Sequence, residues 1–295
     1  MQFSRVAILT NFNIPDKAEA AREAARVFAA HGASLLLDLS VRGRSGFESA
    51  GLPVRYMPAH SLYESAELVV VVGGDGTVLE AARRSASRGI PVLGINKGRL
   101  GFLCELELDE LSLIDRLYDG NYSVERHSML NVEVFARTDG GERRRLYIAR
   151  ALNDAVVSNG SVARIVDIEL RESGKTVAVY RADGIIAATP TGSTAYSLSA
   201  GGPVLDPRLG GICVTPICAH SVNARPIVFP DSARIEIVNI CQREPSLFLT
   251  VDGRVNIKLG KGEAVRVTRS DKSAGVVRLK EDSFYSTFHR KMSGI

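Results

Sequence analysis

Apolar residues in the first 125 positions fall into short unbroken runs separated by stretches of helical period. "RVAILT" (5–10), "SLLLDL" (34–39), "LVVVV" (68–72) and "PVLGIN" (91–96) lack the alternation of a half-exposed strand, so each is expected to be covered on both faces. Between them, "DKAEAAREAARVFAAHG" (16–32) is Ala-rich, with an acidic start and Gly32 as a stop. "VLEAARRSASRG" (78–89) places Val78 and Ala82 on one helical face and ends at Gly89; a third helix is expected near 109–118, stopped at Gly120. Strands alternating with helices of this size give βαβ units and a parallel, Rossmann-like sheet.

The period then changes from 3.6 to 2. "NVEVFA" (131–136), "IVDIEL" (165–170) and "TVAVYRA" (176–182) alternate apolar and polar positions, and "TDGGE" (138–142) and "ESGK" (172–175) supply hairpin turns. More strand-like runs follow: "IEIVNI", "LFLTVDG", "VNIKLG" and "AVRVTR". The pattern predicts an α/β domain over residues 1–125 and an antiparallel all-β domain over 126–275. The tail, 276–295, is expected to carry an amphipathic helix (282–292) that packs back on the first domain.

Composition narrows the class. The 295 residues, 45% of them hydrophobic, suffice for two ordinary cores. An excess of four positive charges, scattered along the chain, does not suit a nucleic-acid binder. No apolar run approaches the roughly 18 residues of a membrane span, and no signal-like segment opens the chain, so a cytoplasmic protein without a membrane partner is expected. Cys104, Cys213, Cys218 and Cys241 show no paired spacing and are expected to be structural thiols, with Cys213 and Cys218 in apolar surroundings.

Candidate chemistry begins where the "LVVVV" run meets "GGDGT" (73–77). A Gly-rich turn between a buried strand and a helix suits phosphate, because free backbone N–H groups and the positive helix end both favour anions. Gly73, Gly74, Gly76 and Thr77 form the candidate phosphate turn, which lacks the Lys and Ser/Thr of a Walker A loop. Asp75 inside it is unexpected, since two like charges at about 4 Å repel by roughly 4 kcal/mol at an effective dielectric of 20. Two chemistries make it useful: binding a phosphate-bound cation, or accepting the proton of a hydroxyl that attacks a phosphoryl group.

"GINKGRLGFL" (94–103) follows the next strand, and Gly94, Gly98 and Gly101 are expected to let the backbone approach a ligand that Lys97 and Arg99 can reach. In "ALNDAVV" (151–157), Asn153 and Asp154 interrupt an apolar run, where polar groups need partners. "YRADGIIAATPTGSTAYSLSAGGPV" (180–204) gathers Arg181, Asp183, Thr191, Ser193, Thr194, Tyr196, Ser197 and Ser199 among glycines. That mixture suits ribose and phosphate recognition.

These segments together resemble the NAD kinase family, the bacterial ATP-NAD kinases in particular. "GGDGT", "LGFL", the Asn-acid pair at 153 and 154, and "DGIIAATPTGSTAYSLSAGGP" stand in the family's order over nearly the whole chain. "GGDGT" is shared with diacylglycerol and sphingosine kinases; the "TPTGSTAYSLSAGGP" segment is far more specific. The resemblance implies phosphorylation of NAD by ATP, with Asp75 accepting the proton of the adenosine ribose 2′-hydroxyl and a divalent cation, Mg or Mn, on the ATP. It also implies a dinucleotide pocket lined by Asp75, Gly76, Asn153, Asp154, Arg164, Arg181, Asp183, Thr194, Ala195, Tyr196, Ser197, Leu198 and Ser199. That pocket is expected between the domains, in a homodimer or homotetramer. The chain departs from the family in having Asp154 where Glu is frequent, Cys104 where a hydroxyl or acid is usual, and Arg254 where some relatives carry Gln.

Overall fold

The uninterrupted apolar runs of the first half become parallel strands. In the computed structural model, residues 3–98, 101–137, 143–160, 165–221, 223–242, 247–281 and 284–293 are described. They form two compact units, Met1–Arg126 with Ser273–Ile295, and His127–Lys272.

The first unit contains β1 (Arg5–Leu9), α1 (Pro15–Ala30), β2 (Ser34–Asp38), β3 (Val54–Met57), α2 (Ala59–Ser65), β4 (Leu68–Gly73), α3 (Asp75–Ser85), β5 (Val92–Asn96) and α4 (Asp115–Tyr118). The five strands are ordered β5-β4-β1-β2-β3, every neighbouring pair parallel. All six residues of β4 are buried, as a strand flanked by two others and covered on both faces requires. Pro15 opens α1 at a position where its missing N–H is no loss, and Ala20, Ala21, Ala24, Ala25 and Phe28 turn one face into the core around Leu35, Val70 and Leu93.

Helix α3 begins three residues before the apolar periodicity suggests. Gly74 takes the extended N-cap conformation, and Asp75 enters the first turn, where a carboxylate complements the positive helix end. Thus "GGDGT" is divided between the two elements: Gly73 ends β4, Gly74 caps α3, and Asp75, Gly76 and Thr77 form the helix's own first turn. The other end changes as well: residues 86–88 tighten into a 3₁₀ turn, which Gly89 ends at φ 68°.

The second unit is built from β6 (Ser123–Arg137), β7 (Arg143–Ala151), β8 (Asp154–Asn159), β9 (Val166–Glu172), β10 (Lys175–Ala182), β11 (Gly184–Ala188), α5 (Tyr196–Ser199), β12 (Gly211–Ile217), β13 (Ile227–Pro230), β14 (Ile235–Asn239), β15 (Leu247–Val251), β16 (Arg254–Leu259) and β17 (Ala264–Arg278), β6 entering from the first unit and β17 returning to it. One antiparallel sheet runs β13-β12-β11-β8-β15-β16; a second carries β10-β9-β14-β17 and the β6–β7 hairpin. Alternate residues of both sheets, among them Val157, Ile185, Leu249, Ile168, Ile237 and Val265, close one core. The "ESGK" hairpin joins β9 to β10 with Ser173 and Gly174 both at positive φ, the requirement of a type I′ turn. "TDGGE" lies outside the described residues. The fold class read from the sequence, a parallel α/β domain followed by a β domain, is borne out.

The chain ends in α6 (Phe284–Ser293), within the first unit. The segment before it is fixed by charge. Arg278 pairs with Glu125 at 2.8 Å and Glu105 at 3.3 Å, the Leu279 and Lys280 N–H groups donate to Glu105, and Lys280 reaches Glu110 at 2.5 Å. Among the described residues no helix is long and apolar enough to cross a membrane.

One expectation about the thiols fails. Cys213 is buried, but Cys218, one residue beyond β12, is exposed at φ 46°. The strand ends at Ile217, and the chain turning away there removes Cys218 from the apolar interior.

Candidate active site

Strands β4 and β5 end side by side, with Gly73 opposite Asn96, so "GGDGT" and "NKG" emerge from the same carboxyl edge of the parallel sheet. This is where open α/β sheets bind ligands. Both Thr77 and Val78 donate their N–H groups to the Gly74 carbonyl. The earlier amides of α3 have no intrahelical acceptor by construction. A Cβ added to Gly74 or Gly76 would meet nothing within 4 Å, so the backbone is open on that side. Gly73 differs: it is a buried strand residue packed against the Thr77 side chain.

Asp75 is held by the chain that follows β5. Phe102 N–H donates to Oδ2 at 2.8 Å and Leu103 N–H to Oδ1 at 3.1 Å. A Cβ on Gly101 would fall 1.8 Å from Asp75 Oδ1, so a side chain there and the carboxylate exclude each other. At Gly94 a Cβ would lie 2.9 Å from Val78 and 3.0 Å from the Cys104 backbone. These two glycines therefore bring backbone close to Asp75 and to α3, which corrects the expectation that they approach a ligand. Lys97 is exposed, and Arg99 lies outside the described residues.

Cys104 Sγ donates to the Gly73 carbonyl at 3.6 Å. Burial, reinforced by the negative charge of Asp75, pushes its thiol up to about 12. It stays protonated at physiological pH and serves as a neutral donor, not a nucleophile. Lys291 of α6 approaches the same Asp75 oxygen that accepts from Phe102, its Nζ 3.9 Å from Oδ2 and 4.2 Å from the centre of the Phe102 ring.

In the second unit, Asn153 and Asp154 enter β8 beneath the hairpin of β15 and β16. The Asp252 carboxylate accepts three successive backbone N–H groups, from Leu152 at 2.9 Å, Asn153 at 2.8 Å and Asp154 at 3.1 Å. Asp154 is buried, and its own carboxyl has no hydrogen-bond partner among the described residues. Burial, with a smaller contribution from the Asp252 charge, raises it to about 7. Near neutrality such a group both donates and accepts, which suits a pair of sugar hydroxyls.

Within residues 189–197 the Ser and Thr hydroxyls find partners inside the protein. Thr189 donates to the Leu152 carbonyl, Thr191 pairs with His127 Nδ1, Ser193 donates to the Pro190 carbonyl, Thr194 to the Thr191 carbonyl, and Ser197 pairs with Thr215. A buried irregular segment must satisfy its own polar groups, and these side chains do so. Gly192 lets the segment close on Asn153, whose carbonyl oxygen would be 2.1 Å from an added Cβ. Tyr196 and Ser199 are exposed, whereas Ala195 and Leu198 are half-buried. Thr189 N–H donates to the Asn153 carbonyl, so residues 153–154 and 189–199 share one end of β11.

Arg181 and Asp183 do not join that cluster within one chain. In the register of β11 against β8, Gly184 lies opposite Ser158 and Ala188 opposite Asp154, so Asp183 is at the far end, on the order of 15 Å away. Both are exposed, and Arg181 pairs with Asp167 at 3.3 Å. Arg164 lies outside the described residues, and Arg254 is exposed at the start of β16. Sequence reasoning missed Asp252, His127, Thr189, Thr215, Phe102 and Lys291. Asp252 carried a local signal as the Asp of an Asp-Gly hairpin turn at φ 49°, while Phe102 and Thr189 lay unremarked inside the "LGFL" and "TPTGST" motifs.

A carboxylate held in the open first turn of a helix, at the carboxyl edge of a parallel sheet, fits a nucleotide-dependent phosphotransferase, and the comparisons with known proteins give that class. The chain matches the ATP-NAD kinase N-terminal domain over residues 6–122 and the ATP-NAD kinase C-terminal domain over residues 152–279. The NAD kinase of Aromatoleum aromaticum is 38% identical over 287 residues, 97% of this chain and 91% of that one. That of Symbiobacterium thermophilum is 40% identical over 291 residues, 98% and 99% of the two chains. The crystal structure of yeast NADH kinase complexed with NADH matches with a TM-score of 0.88 over 99% of this chain and 88% of its own, a likeness of fold at 24% identity. The chain belongs to the ATP-NAD kinase family.

Proposed function

We propose that this protein phosphorylates the 2′-hydroxyl of the adenosine ribose of NAD, with ATP as donor and Asp75 as proton acceptor. Kinase activity on NAD accords with the family match over both units. The observation that carries the finer assignment is Asp75 itself, fixed by two backbone N–H groups at an open helix N-terminus. Phosphoryl transfer asks a protein mainly to align the attacking hydroxyl and to balance charge. A carboxylate held in this way can receive the hydroxyl proton without reorganising.

The divalent cation, Mg or Mn, is assigned to the substrate and arrives with ATP. Asn153, Asp154, the 194–199 segment, Arg164, Arg181 and Asp183 are assigned to NAD. A homodimer or homotetramer is part of the same reading, supported by the distance of Asp183 from Asn153 along one chain. The cytoplasm, which holds both substrates, is its place.

The decisive assay is incubation with Mg-ATP and either NAD or diacylglycerol. NADP formation is expected. Phosphorylation of the lipid alone, or of neither, would overturn the proposal.

A further inference from the structure

The phosphate turn carries a negative residue, and the chain brings its own counter-charge from more than two hundred residues away. Helix α6 packs on the segment that grips Asp75: Phe102, whose N–H donates to Asp75, meets Phe284 with ring centres 5.6 Å apart and planes tilted by 32°. Lys291 lies two turns along the same helix, with Nζ 4.2 Å from the centre of the Phe102 ring and 3.9 Å from Asp75 Oδ2. Its side chain is 29% exposed, so the ammonium keeps part of its hydration where it lies over the Phe102 ring. The clasp of Arg278 and Lys280 on Glu125, Glu105 and Glu110 fixes where α6 starts, and so where Lys291 arrives.

We propose that Lys291 is a positioning residue of the transfer reaction, acting through Asp75: its ammonium balances the Asp75 charge so that a polyanionic phosphate donor is tolerated at the open N-terminus of α3. The proposal rests on the reading of Asp75 given above. An ion pair this exposed contributes little to folding, whereas its effect on a third charge arriving beside it is direct. The ring of Phe102 completes the device. It holds the cation by its π face and, through the same residue's backbone, holds the carboxylate, so the two charges keep their spacing as one unit.

The test is a cycle of variants in the full chain, read by calorimetric Kd for Mg-ATP, by KM and kcat for NADP formation, and by melting temperature. Lys291→Met keeps an unbranched side chain of similar length and removes the charge. It should weaken Mg-ATP binding and raise its KM about tenfold, equivalent to roughly 1.4 kcal/mol, with the Kd for NAD unchanged. Lys291→Arg should recover most of the loss. In an Asp75→Asn background, where no charge needs balancing, Lys291→Met should leave the Kd for Mg-ATP within about twofold. An equal loss in both backgrounds, no loss in either, or an Arg variant as weak as the Met variant would overturn the proposal. If Lys291→Met fails to fold, Lys291→Gln is read in the same cycle by the same criteria. Failure of the function is separate: a wild-type protein that binds Mg-ATP without making NADP refutes the reaction, while the binding cycle still judges Lys291.

Discussion

Asp252 accepts the Asp154 backbone N–H at 3.1 Å while its charge adds to the burial that raises the carboxyl of the same residue. Support and repulsion come from one side chain. The hairpin between β15 and β16 fixes the start of β8 and, at the same time, helps keep a buried carboxyl protonated well above its ordinary range.

The pH dependence of stability follows. With its carboxyl raised from 3.8 to about 7, Asp154 in the folded protein retains a proton that the unfolded chain has already lost. The folded state therefore binds more protons across that window. Stability falls as pH rises through it, by up to about 1.4 kcal/mol per pH unit, and is flat for this group above the folded value. Asp154→Asn should remove that slope between pH 5 and 7 and raise the melting temperature at pH 8, while weakening NAD binding. Melting temperatures of wild type and variant that stay parallel from pH 5 to 8 would show that Asp154 is not a buried carboxyl holding its proton up to about 7.

Gly101→Ala tests how Asp75 is held. The added methyl would lie 1.8 Å from Oδ1, and neither the carboxylate nor the 101–103 backbone can yield without losing the N–H bonds from Phe102 and Leu103. A displacement of about 1 Å at a reacting group costs on the order of 10²-fold. The expected result is a fall in kcat of that size with the Kd for NAD little changed. An Ala variant with wild-type kcat would mean that the two N–H bonds do not position Asp75 for reaction.

The elements behind these predictions were unevenly legible in the chain. Buried parallel strands announce themselves as uninterrupted β-branched runs, and "LVVVV" becomes β4 as expected. The start of α3 was misplaced because its first turn, Asp75-Gly76-Thr77, contributes no apolar residue to the periodicity. The role of Gly101 was hidden for another reason: a glycine needed for close approach reads the same whether the neighbour is a ligand or the protein's own carboxylate. Asp252 serves residues about a hundred positions earlier, and Lys291 meets Asp75 across most of the chain. Such contacts are made by tertiary packing and leave no local pattern. The Ser/Thr-rich segment drew attention by composition, but the direction of each hydroxyl depends on which buried carbonyl lies within reach.

Subunit sharing of the NAD site is tested by mixing. Asp183→Ala and Asn153→Ala alter opposite ends of β11, and each should lose activity by weakening NAD binding about 1 to 3 kcal/mol, the cost of a lost hydrogen bond to a charged or buried group. If one site draws Asn153 from one copy and Asp183 from another, a mixed oligomer contains an intact site. Unfolding and refolding the two variants together should then recover activity that neither shows alone. No recovery, in a mixture shown by sedimentation to have formed hybrids, would place both residues in the same copy's site.

The last prediction separates chemistry from scaffolding at Asp75. Both carboxylate oxygens accept an N–H, from Phe102 and from Leu103, so Asp75→Asn keeps one acceptor and turns an amide NH₂ toward the other donor. The variant should lose about 1 to 3 kcal/mol of stability through that unpaired N–H, seen as a lower melting temperature. Removal of the charge favours the donor, so Mg-ATP should bind at least as tightly as in the wild type. The proposed proton acceptor is gone, however, and kcat should drop roughly 10²- to 10⁴-fold with the Kd for NAD nearly unchanged. Tighter ATP binding with slower turnover is the signature of a group that repels the ground state and serves the transition state. If excess Mg²⁺ or a change to Mn²⁺ restores most of the rate, Asp75 acts on the cation that ATP carries. Full activity at ordinary Mg²⁺ would remove Asp75 from the reaction and leave it the role of fastening the 101–103 segment to α3.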